Sequence, residues 1–150
     1  MDSRRKSRIL AFQALYFWES YQGVPVSELC AFAWIEEEKL NSMSEGMAAF
    51  SRLLIAGTVE NIKLIDSVIK DHLDNWDIIR VNRVDLAVLR ISVYSLMYQS
   101  EISPSIIIDE AIGICREYGT DDSFKFVNGV LDSIRITLQT NHKKEKETVL

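Results

Sequence analysis

Apolar residues return every three or four positions along almost the whole of this 150-residue chain, a spacing that predicts helix rather than strand. The first predicted helix runs from about Arg4 to Tyr21. It is apolar nearly all round after Arg8, which implies burial on several sides. Gly23 and Pro25 interrupt, with Pro25 where a first-turn proline is tolerated, and a second helix covers Val26 to Glu38 with Leu29, Phe32 and Ala33 inward. Ser42-Met43-Ser44-Glu45 reads as a capping box that opens a long third helix. Its stripe of Phe50, Leu53, Leu54, Gly57, Asn61, Leu64, Ile65, Val68 and Ile69 continues to about Leu73. Asp74 to Val81 is a break, with Trp76 expected to pack across it. Asn82 caps the fourth helix and Asp85 lies in its first turn. The apolar density from Val84 through Leu96 marks that helix as central. Ser103-Pro104 opens a fifth helix that stops at Gly119, and Thr120 or Asp121 caps a sixth that reaches about Leu138. Residues 140–150 form a polar tail expected to fray.

Two segments compete with that reading. Asn128-Gly129 between apolar residues is a hairpin signal. The flanking spacing of Val127, Val130, Leu131, Ile134 and Leu138 is helical, so Gly129 is placed inside a helix at about 1 kcal/mol relative to alanine. A close crossing by another helix would account for it. Ile106-Ile107-Ile108 is β-branched but follows a proline-initiated turn and leads into Asp109-Glu110-Ala111. The expected fold class is all-α, a single domain over 1–139. It divides into an N-terminal bundle of three helices over about 4–73 and a C-terminal one over 82–138, with 140–150 as a flexible tail.

Composition narrows the class. Hydrophobic residues make up 47 %, enough for a sizeable interior, and no apolar stretch reaches the length of a membrane span. The basic start resembles a signal peptide, but the apolar run ends at Trp18-Glu19 without a cleavage pattern. Cys30 and Cys115 are isolated, which suits two buried thiols in a reducing, cytoplasmic setting. Asp109-Glu110 and Asp121-Asp122 are neighbours about 100° apart on a helix, so spacing alone does not make them a catalytic pair. His72 and His142 lack ligand spacing, and no two glycines are close enough to cradle a phosphate. No enzyme, cofactor or metal site is expected.

Charge singles out one place. The chain carries −5, yet its first eight residues hold +3 and the remainder −8. Arg4, Arg5, Lys6 and Arg8 run straight into the apolar block Ile9 to Tyr16, which pins them to a folded helix. Arg5, Arg8, Phe12 and Tyr16 follow at three- and four-residue steps and would form one stripe of guanidinium groups and rings. Arginines near a helix N-terminus suit phosphate, and exposed rings stack on unpaired bases, so the stripe suits single-stranded RNA. The same spacing also fits an ordinary basic helix start with Phe12 and Tyr16 in the core. If the four cations each neutralise a phosphate, RNA affinity should show a log–log salt slope of roughly −3.

Four ordered motifs stand out: Arg4-Arg5-Lys6-Ser7-Arg8 with Ala11-Phe12-Gln13-Ala14-Leu15-Tyr16, then Asn75-Trp76, Arg80 and Val84-Asp85-Leu86-Ala87-Val88-Leu89-Arg90, then Pro104 with Ile108-Asp109-Glu110-Ala111, and last Phe126-Val127-Asn128-Gly129-Val130-Leu131-Asp132. In this order they resemble the arginine-rich start, the central segment and the later motifs of the NusB family of bacterial transcription antitermination factors. The resemblance implies two roughly perpendicular three-helix bundles. It implies binding of a short single-stranded boxA RNA together with the ribosomal protein NusE. It also implies loading onto the RNA polymerase antitermination complex and terminator readthrough in ribosomal RNA operons. By resemblance, RNA contacts fall on the arginine-rich start (Arg4, Arg5, Lys6, Arg8), on Tyr16, and on Asp122, Lys125 and Phe126. Asp85 and its neighbours would face the protein partner. The family includes monomers and homodimers. Departures are Ser95, Ser103, Ser105 and Asp109 in place of the family's glutamate, proline, lysine and asparagine, and 23–49 matches poorly.

Two other readings share these features. RNA cytosine-5 methyltransferases carry a NusB-like RNA-binding module, although no glycine-rich cofactor segment or paired catalytic cysteines appear here. A purely protein-binding helical scaffold would use the basic start against an acidic partner.

Overall fold

The sequence folds into helices joined by short turns. The computed structural model describes residues 3–32, 35–74 and 77–149, and no strand occurs among them. In order these are α1 (Ser3–Ser20), α2 (Val26–Cys30), α3 (Glu37–Asn41), α4 (Glu45–Glu60), α5 (Ile62–Asp71), a 3-10 turn (Ile78–Arg80), α6 (Arg83–Tyr98), α7 (Pro104–Tyr118) and α8 (Ser123–Val149). The expected inward position of Ala33 and the packing of Trp76 lie outside the described residues.

Central placement of α6 follows from its composition, since every residue from Asp85 to Ser95 is buried. It packs against α1, α4 and α5 and also against α7 and α8, so these helices share one core through it. The Asn82 side chain starts α6 by accepting from the Asp85 N–H at 2.9 Å and donating to Asp85 Oδ2 at 3.0 Å. That reciprocal pair satisfies groups that a bare helix end leaves orphaned. Arg90, at 6 % exposure, ties three helices together. Its Nε and Nη2 donate to both oxygens of Asp66 at 2.9 Å, and its Nη1 donates to Glu19 at 2.9 Å.

Several boundaries differ from the spacing-based expectation. The second predicted helix stops at Cys30 because Phe32 turns left-handed at φ 57, with its side chain fully buried. Arg52 reinforces the break by donating from Nε to the Cys30 carbonyl at 2.9 Å. The long third helix divides at Asn61, whose side-chain amide donates to the Gly57 carbonyl at 2.8 Å. The cap of α4 is Ser44, which accepts from Met47 N–H at 3.1 Å, whereas Ser42 closes α3 by donating to Lys39 O at 2.8 Å.

The Asn128-Gly129 segment is helical, but the close crossing expected there is absent: a Cβ at Gly129 would meet open space. The close crossing occurs at Gly57 instead, where a Cβ would run into the Tyr94 ring of α6. Nothing in the structure explains Gly129. Finally, α8 continues through Val149 rather than ending near Leu138.

Candidate nucleic-acid interface

The basic start of α1 is bolted to α4. The Ser7 hydroxyl donates to the Met47 carbonyl at 3.0 Å, and the Ser51 hydroxyl donates to the Ser7 carbonyl at 3.0 Å. Both serines are fully buried, so the cations flanking Ser7 are carried on fixed backbone.

The four cations then separate by face. Arg4 is exposed with its guanidinium 4.0 Å from the centre of the Phe50 ring, and Lys6 is exposed. The Arg5 side chain is 38 % exposed, with Nε 3.7 Å from Glu110 Oε2 on α7. Arg8 is buried at 7 %, its guanidinium 5.4 Å from the same Phe50 ring. The expected stripe is therefore interrupted. Arg8 and Phe12 (3 % exposed) turn inward, whereas Arg5 and Tyr16 (40 % exposed) stay accessible. The reason is packing: α1 lies against α4 and α6 and touches α7, so little of its circumference remains for a ligand. Phe12 joins the core, 5.2 Å from Tyr118 between ring centres. Arg4 and Arg8 also line an open groove of about 610 Å³ with Phe50, Leu53, Ile102, Ile106 and Glu110.

Contacts along α1 set its direction relative to α7. Arg5 meets Glu110 and Gly113, and Phe12 meets Tyr118, so the two helices run side by side in the same sense. The C-terminal end of α7 leads into the turn that opens α8. There Asp122 and Lys125 are exposed and Phe126 is half-buried. The turn is clamped by Ser123 Oγ, which accepts from Thr120 N–H at 3.0 Å. Spacing had suggested Thr120 or Asp121 as the cap. Motif reading passed over Arg116 and Tyr118, both exposed at the end of α7. Arg116 lies 5.1 Å from the centre of the Phe124 ring, with Lys125 Nζ 5.9 Å from the same ring. A cation in the last turn of a helix has a local explanation in the dipole, which is why the sequence alone did not single it out.

Asp85 is 5 % exposed and engaged in capping α6. Burial pushes its carboxyl above the usual value of 3.8, partly offset by the Ser123 hydroxyl and then by Asn82. Its Oδ1 has no hydrogen bond of full geometry, so the Ser123 effect is one of proximity. The exposed residues at this end of α6 are Asn82 and Arg83. Cys115 is buried and its thiol is pushed up to about 12, by burial first and by Asp85 second, which makes it inert. Cys30 is only half-buried, not fully as expected, and its thiol is also raised by burial. Among the described residues no group of three or more His, Cys, Asp or Glu could hold a metal, and no helix is long and apolar enough to cross a membrane.

Comparison with known proteins decides the family. The NusB family model matches residues 5–135. The chain belongs to the NusB family. It is 50 % identical over 132 residues to the transcription antitermination protein NusB of Treponema denticola, covering 88 % of this chain and 95 % of that one. The NusB of Borreliella burgdorferi is 39 % identical, with 92 % and 97 % covered. Among solved structures, T. maritima NusB superposes with a TM-score of 0.79 at 35 % identity, covering 88 % of this chain and 89 % of that chain. A structure of antitermination factors NusB and NusE in complex with dsRNA gives a TM-score of 0.80 at 31 % identity, covering 91 % and 98 %. NusB-family relatives are named as transcription antitermination proteins, which are not enzymes.

Proposed function

We propose that this chain is a cytoplasmic, RNA-binding antitermination factor. It grips a boxA-type single-stranded RNA jointly with the ribosomal protein NusE. In this reading Arg4, Arg5 and Lys6 contact phosphates, Tyr16 and Phe126 offer rings to bases, and Lys125 with Asp122 borders the path. The assembly then joins RNA polymerase and favours readthrough of terminators in ribosomal RNA operons. Arg8 mounts the site from within rather than touching phosphate. Asp85 and its exposed neighbours Asn82 and Arg83 form the end of α6 that faces the protein partner, and self-association would compete for the exposed surface.

The observation that carries this reading is the cluster of exposed Arg4 and Lys6 with half-buried Arg5, carried on fixed backbone of an otherwise acidic molecule. A static cationic patch on a repulsive body selects polyanions while limiting non-specific adhesion. The structural neighbour solved with NusE and RNA supports it, although that RNA is double-stranded. Mobility shifts with boxA-like single strands, scrambled strands and duplex RNA, each with and without the NusE-type protein, test it. A shift selective for the boxA-like strand and strengthened by the partner is expected. Equal affinity for all three RNAs, or none, contradicts it.

A further inference from the structure

We infer that Glu110 and Gly113 of α7 form a seat that positions the Arg5 guanidinium for phosphate. The inference rests on the RNA-binding reading and adds positioning residues to it. Gly113 occupies the middle of α7 in ordinary right-handed backbone, where glycine costs about 1 kcal/mol relative to alanine. What requires it is Arg5: a Cβ at position 113 would fall on Arg5 Nη2, with Cζ at 2.9 Å. The guanidinium therefore lies directly against the α7 backbone, in space that any side chain at 113 would fill.

Glu110 is one helical turn before Gly113 and completes the seat. Its Oε2 is buried, takes no hydrogen bond, and faces Arg5 Nε at 3.7 Å. Nε faces Glu110 and Nη2 packs on Gly113, while 38 % of the side chain is still exposed to a ligand. Arginine recognises phosphate through a planar fork, so a guanidinium already held in one orientation loses less freedom on binding. Neither Glu110 nor Gly113 needs to touch RNA.

The test measures binding of a labelled boxA-like single strand by fluorescence anisotropy, with melting temperature alongside. Gly113→Ala expels the guanidinium while improving the helix. Affinity is expected to fall about threefold to tenfold, the effect of immobilising one long side chain. Melting should be unchanged or higher, which a merely structural glycine would not show. In an Arg5→Ala background Gly113→Ala should have no further effect. Arg5→Lys keeps the charge but lacks Nε, so it should bind more weakly than the parent and be insensitive to Gly113→Ala. Parent-like affinity of the Gly113→Ala protein, or an equal loss with and without Arg5, overturns the seat while leaving RNA binding intact. Absence of binding by the parent overturns the RNA reading itself, and the seat with it.

Discussion

Phe12 and Tyr16 are one helical turn apart and end in opposite environments, the first at 3 % exposure and the second at 40 %. Phe12→Ala is expected to cost about 3–5 kcal/mol by urea denaturation. Tyr16→Ala should leave stability near the parent's and weaken RNA binding by about 1–3 kcal/mol, the contribution of one stacked base. Parent-like RNA affinity of Tyr16→Ala would remove Tyr16 from the site. The three- and four-residue steps made both residues visible as one stripe, but not which end of it faces solvent. That depends on α4 and α6 closing over Arg8 and Phe12. Asp85 gives a pH signature. Its folded-state carboxyl is raised by burial, so the folded protein holds this proton more tightly than the unfolded chain. Its stabilising contribution is full below about 3.8 and is lost as pH rises through the folded value above that. Asp85→Asn removes that loss. The stability of the parent minus that of the variant should therefore fall from about pH 4 toward neutrality. A difference that grows with pH would show that the buried carboxylate is favoured charged.

Helix breaks show what local pattern leaves out. Existence of the main helices and the Asn82 cap was legible, because apolar spacing and capping chemistry are local. The interruptions at Phe32 and Asn61 were not, because one comes from burial of a ring in left-handed backbone and the other from a side-chain amide turned onto its own helix. The Arg90 triad was equally hidden, since Asp66 and Glu19 are 24 and 71 residues away. Burial lowers the pKa of Arg90, but hydrogen bonds to Asp66 and Glu19 outweigh it and hold the guanidinium above its ordinary range. Arg90→Ala should cost about 3 kcal/mol, the low end for a broken buried pair, because Asp66 and Glu19 keep 23 % and 33 % exposure. A loss under about 1 kcal/mol would mean that α1, α5 and α6 hold together without it. Glycines give a second contrast. Gly129→Ala, in open space, should add about 1 kcal/mol. Gly57→Ala should lower stability because its Cβ would displace the Tyr94 ring. Thermal melts of the two variants should move in opposite directions.

At the scale of the whole molecule, charge and its mounting decide what can bind. The reversal of sign between the first eight residues and the rest was legible in the sequence, as was the family. The division of labour among the cations was not, since burial of Arg8 is set by α1 docking on α4 and α6. With Arg8 withdrawn, the candidate cations left to a ligand are Arg4, Lys6 and Lys125, all exposed, and half-buried Arg5. Four phosphates on a single strand correspond to a log–log salt slope of roughly −3. The most direct measurement is that slope for a boxA-like single-stranded RNA, in the parent and after Arg4→Ala, Lys6→Ala and Lys125→Ala. A slope of about −3 is expected for the parent, shallower by about 0.7 for each cation removed. A parent slope near zero, or variants that leave it unaltered, contradicts the claim that these four side chains carry the RNA.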